Sequence, residues 1–141
     1  MKELSPAYLS AIAGQLSTLS AFLGGFAATF VATLLTLSRH GRLVTVTIGL
    51  AVAAAVAFVV TVVAATMVAA ITNPHAPTEI AHLGLRAPRV LMTAGFYLGT
   101  LSLLATLGCS GWTHSRTVGR ITTLIALSGA VSIFLLTIRV D

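Results

Sequence analysis

Acidic side chains are nearly missing from this chain. Glu3, Glu79 and Asp141 are the only three in 141 residues, against eight lysines and arginines. Charged residues make up 8% of the sequence, where a soluble domain carries about 25%, and this excludes an ordinary water-soluble fold. Asp, Glu, Lys, Arg and His are absent from the long apolar stretches except for Arg120, the third residue of the last one. Proton-coupled transporters and bilayer-buried acid–base enzymes need such groups at depth, so neither is expected. No Ser–His–Asp or Cys–His set can be assembled there either, and no catalytic residue and no cofactor are expected. Cys109 is the single cysteine, which excludes an internal disulfide and reads as a small hydrophobe. The four prolines, Pro6, Pro74, Pro77 and Pro88, all lie at or beyond the ends of the apolar stretches, so nothing forces a break inside them.

What is present is length of apolar sequence. Hydrophobic residues are 57% of the chain and its mean hydropathy is +1.02. Four stretches, at 11–37, 43–71, 90–111 and 118–138, each exceed or match the ~20 residues that an α-helix needs to cross a hydrocarbon core. The spacing predicts an all-α integral membrane protein, one domain over 1–141, with four transmembrane helices in two antiparallel hairpins. Their expected bounds are roughly 7–37, 43–72, 90–112 and 118–139, with a connection over 73–89. Ser5-Pro6 forms a helix start, Gly41 breaks the first hairpin, and Asn73-Pro74 stops the second helix. The first apolar stretch is too long for a cleavable signal core and should remain in the mature protein.

The net charge of +5 and pI near 10.8 do not point to nucleic acid, because the basic residues sit at helix ends. Lys2, Arg86, Arg89 and Arg139 fall on one side of the expected membrane, and Arg39, Arg42, Arg116 and Arg120 on the other. That tie leaves the orientation open, although the second group, in shorter loops without acids, favours its side as cytoplasmic. The expected location is multi-pass, in a bacterial-type inner membrane or a plasma membrane, with membrane lipid as the first partner.

Small residues recur along every stretch, and in lipid small residues are where helices approach. The first helix has Ser17, Ala21, Gly25, Thr29 and Thr33 at i+4 spacing, beside a second row of Ser20, Gly24, Ala28, Ala32 and Thr36. Packing positions expected elsewhere are Gly49, Ala53, Ala57, Thr61 and Ala65 on the second helix, Gly95 and Gly99 on the third, and Ala126 and Ala130 on the fourth. Two adjacent small rows are more than one neighbour needs. Either two neighbours approach the first helix or part of it faces water, and both favour a homo-oligomer with that helix near the axis. Hydroxyls can line an uncharged pore, so the lining candidates are Gln15, Ser17, Ala21, Gly25, Thr29, Thr33 and Thr36. Hydroxyls in helices also bond the carbonyls of their own helix, which is the simpler role for them.

Trp112, at the end of the third helix, is placed as an interface anchor. His75, Glu79 and His82 have spacings of four and three, a weak candidate for a divalent metal weakened further by the intervening Pro77; no metal is expected.

The run Ser20-Ala21-Phe22-Leu23-Gly24-Gly25-Phe26-Ala27 resembles the pore helix of the Orai calcium-channel family, which reads S-A-L-L-S-G-F-A. The four-helix plan with a longer second connection is also similar. The resemblance covers eight residues and implies a hexamer with six first helices around a pore. The position of that family's filter glutamate falls on Thr33 here, and the connection after the first helix is basic rather than acidic, so calcium selectivity is not implied.

Two functions follow as expectations. The first is a small homo-oligomeric pore or ion channel with the first helix central. The second is a non-catalytic accessory subunit of a larger membrane complex. A weaker third is a lipid- or quinone-binding protein using Phe22, Phe26, Phe30, Tyr97 and Trp112.

Overall fold

The computed structural model describes residues 5–36, 41–73 and 84–140, with side chains described through 135. The metal candidate His75, Glu79 and His82 lies outside the described residues. All regular structure among them is helical: α1 (Pro6–Thr36), α2 (Arg42–Ile71), α3 (Arg86–Trp112) and α4 (Arg116–Val140). Each is long and apolar enough to span a membrane.

Local chemistry sets the helix starts. Ser5 caps α1, its Oγ accepting from the Tyr8 N–H at 3.4 Å, and Pro6 occupies the first helical position, where its missing N–H is not needed. Ser115 caps α4 in the same way, accepting from the Val118 N–H at 3.2 Å. That cap starts α4 at Arg116, two residues before the expected start. α3 begins at Arg86, four residues before the expected start, because Pro88 falls in its first turn. At the other end of α2, the Thr72 hydroxyl donates to the Val68 carbonyl at 2.7 Å and the helix stops at Ile71.

The helices form a row in sequence order. Extensive contact joins α1 to α2, α2 to α3 and α3 to α4, and no other pair of helices has more than marginal contact among the described residues. Successive helices are antiparallel. Gly24 of α1 meets Phe58 of α2 while Ala13 lies with Val68, so positions fall along α1 as they rise along α2. Gly95 meets Thr61 and Gly99 meets Phe58, reversing the direction again between α2 and α3. Gly111 against Thr122 and Gly108 against Ala126 do the same for α3 and α4.

Small residues make the α1–α2–α3 contact close. Phe58 is fully buried, with its Cβ 3.2 Å from where a Gly24 Cβ would stand and its ring 2.9–3.1 Å from where a Gly99 Cβ would stand. It meets Phe96 edge-on at 6.4 Å, and Ala27, Ala54 and Leu103 complete that cluster. A second cluster of Ala13, Ala64, Ala65, Val68 and Met92 sits nearer the C-terminal end of α2. Ser20 is fully buried in the α1 packing face, and its hydroxyl has no hydrogen-bond partner among the described residues.

Between α3 and α4 the contact is partly polar. The Thr122 hydroxyl lies 3.1 Å from the Gly108 carbonyl across the helix boundary, and the Trp112 indole N–H donates to Thr123 Oγ1 at 2.9 Å. The Trp112 ring lies over Gly119, where a Cβ would come within 2.6 Å of it. Trp112 is 43% exposed, so it combines an open edge with a packing role in the turn. Trp112→Phe keeps the ring on Gly119 and removes the hydrogen bond. It is expected to cost about 1 kcal/mol, read as a fall of roughly 4 °C in the thermal midpoint of the detergent-solubilised protein.

Candidate functional site

An α-helix turns 100° per residue, so a row at i+4 spacing drifts about 40° at each step. Five such positions sweep about 160° and cannot all face one neighbour. The rows of α1 and α2 obey this geometry. In α1, Ser20 and Gly24 are buried against α2, while Ala28, Ala32 and Thr36 of the same row are exposed. In α2, Ala57, Thr61 and Ala65 are buried, while Gly49 and Ala53 are exposed and border an open groove between α2 and α3. In α3, Gly95 and Gly99 are both buried against α2. In α4, Ala126 is buried against α3 and Ala130 is half-buried beside it.

The lining candidates on α1 fall outside the contact with α2. Ser17 is half-buried at its edge, and Gln15, Ala21, Gly25, Thr29, Thr33 and Thr36 are exposed. Gly25 has open space around it, since a Cβ there would meet nothing within 4 Å. The hydroxyls are satisfied within the helix: Thr29 donates to the Gly25 carbonyl at 2.9 Å, Thr33 to Thr29 at 2.9 Å and Thr36 to Thr33 at 2.8 Å. Exposed threonines bonded in this way need no water, so their hydroxyls alone do not distinguish a wet face from a packed one.

The composition of that face is more informative. Ala11, Thr18, Gly25 and Ala32 recur at intervals of seven, and so do Gly14, Ala21 and Ala28 beside them; all seven are exposed. The outward faces of the other helices carry bulk instead: Val56, Val59 and Val63 on α2, Leu91 and Leu98 on α3, and Leu124, Ile125 and Phe134 on α4. On α1, Phe22 and Phe26 stand to one side of the small seam, and Phe26 stacks on Phe30 at 6.5 Å. Ala11, Gly14 and Thr18 were not among the expected lining residues. The signal that would have found them is the interval of seven, which stays on one face for longer than an interval of four.

The aromatic residues of the lipid or quinone expectation do not converge. Phe22, Phe26 and Phe30 lie on α1, whereas Tyr97 and Trp112 lie on α3, fifteen positions or about 22 Å apart along its axis.

The chain is thus an all-α protein of four apolar, antiparallel helices in a row, with one terminal helix presenting a small-residue face outward. No protein-family model matches it, and neither the curated proteins nor the solved structures give a match.

Proposed function

We propose that this chain is a multi-pass membrane protein that assembles with copies of itself, with the α1 helices side by side around a shared axis that encloses a pore. One observation carries this reading: α1 uses one small face on α2 and leaves a second, seven-residue small face uncovered. A helix face turned to lipid gains nothing from glycine and alanine, because close approach of backbones is what small residues allow. A seam at intervals of seven winds left-handed and stays in register over its length. Around the axis, Gly25, Thr29, Thr33 and Thr36 toward one end and Gln15 and Ser17 toward the other would line an uncharged path.

The accessory-subunit reading draws on the same face, with a different protein seated on it. Reconstitution separates the two. Purified protein in liposomes is expected to pass small ions, and its mass in detergent solution is expected to be a fixed multiple of the protomer. A well-incorporated protein that passes nothing, runs as a single chain and co-purifies with a second membrane protein would sink the pore and support the subunit.

A further inference from the structure

α2 and α3 enclose a second feature, on the side of α2 away from α1. An open groove there is floored by Ala57 and Gly95 and walled by Val56, Val60, Leu91 and Leu98, with a volume of about 550 Å³. It continues past Val60 and Leu91 into a further 320 Å³ between Met67 and Pro88, where no polar atom contributes to the wall. From Gly49 to Met67 the groove follows eighteen positions of α2, or about 27 Å. That length holds one extended acyl chain.

The end of the groove has a charge to match. Its last lining residues, Ala87 and Pro88, belong to the first turn of α3, and Arg86 beside them is exposed. That turn has no acidic residue and no side-chain cap, so its free N–H groups and positive dipole end add to the guanidinium. Arg89, one turn further on, is not the counterpart, because its Nε is buried whereas Arg86 is exposed.

We infer that the α2–α3 groove binds one acyl chain of an anionic membrane phospholipid, whose phosphate rests on Arg86 and the first turn of α3. This rests on the membrane reading above but not on the pore.

The test is native mass spectrometry of the full chain, extracted from the alkali-resistant membrane fraction and incubated with phosphatidylglycerol or phosphatidylcholine. Wild type is expected to retain one phosphatidylglycerol per protomer and at least fivefold less phosphatidylcholine. Ala53 and Ala94 are exposed and line the groove, so A53L/A94L fills it without touching the buried contacts. That variant is expected to lose retention of both lipids at least fivefold. R86Q is expected to erase the preference between headgroups, and R120Q, exposed near the start of α4, to leave it unchanged. Equal retention of the two lipids by wild type, or undiminished phosphatidylglycerol on A53L/A94L or R86Q, would overturn the site. Since R86Q alters no packing, it decides the matter if the double variant does not fold. A wild-type chain recovered as a soluble protein would instead overturn the membrane reading, and this proposal with it.

Discussion

Gly25→Leu is expected to abolish self-assembly and to lower flux at least tenfold while leaving the folded protomer as stable as the wild type. Gly25 has nothing within 4 Å of its Cβ position, so within one chain the leucine enters open space. In a seam where α1 meets α1 it enters a close backbone contact, where overpacking costs about 1–3 kcal/mol at each repeat around the ring. Each 1.4 kcal/mol is a factor of ten in an association constant. The neighbouring residue gives the opposite result. A Cβ on Gly24 would stand 3.2 Å from Phe58 Cβ and 4.0 Å from the Ala55 carbonyl oxygen. Gly24→Leu therefore forces α1 away from α2 and lowers the thermal midpoint of the protomer itself. Two adjacent substitutions thus separate assembly from folding, with mass in detergent, flux and thermal midpoint measured on each. Wild-type assembly and flux in Gly25→Leu would show that the outward face of α1 is not the contact.

A large loss of stability is expected at Gly95. A Cβ there would stand 2.6 Å from Thr61 Oγ1 and 3.1 Å from the Ala57 carbonyl oxygen. Thr61 is fully buried and its hydroxyl donates to that same Ala57 carbonyl at 2.9 Å, so turning it aside breaks a buried hydrogen bond. The carbonyl is backbone and moves only with α2. Gly95→Ala is expected to destabilise by about 1–3 kcal/mol and Gly95→Leu by more. Gly99 is a similar case, because the Phe58 ring it meets is already held by Gly24 and Phe96. Gly49→Leu is the control. It belongs to the same kind of small row, yet its Cβ position is open, and the change should stay within about 0.5 kcal/mol. Thermal unfolding in one detergent compares all three; a Gly95→Leu midpoint equal to wild type would refute the close packing of α2 on α3.

The helix ends were nearly all legible from local chemistry. Ser5-Pro6 starts α1 and Gly41 precedes α2, because capping and proline effects act within a few residues. α3 starts four residues before its apolar stretch does, because Pro88 falls in the first turn, where proline is compatible with helix. The small-residue rows were legible as a composition but not as contacts. Gly49 and Gly95 look alike in sequence, and one is open while the other meets Thr61 and a carbonyl oxygen.

The amino-acid sequence by itself determined that there are four apolar helices and, within a few residues, where they begin and end, because hydropathy and capping are properties of a residue and its near neighbours. Only the tertiary structure decided that the helices stand in a row with α1 at one edge, and which of its two small faces α2 covers. Both faces carry glycine, alanine and hydroxyl residues, and a helix has no preference between them until the side chains of a partner, here Phe58 above all, fit one and not the other.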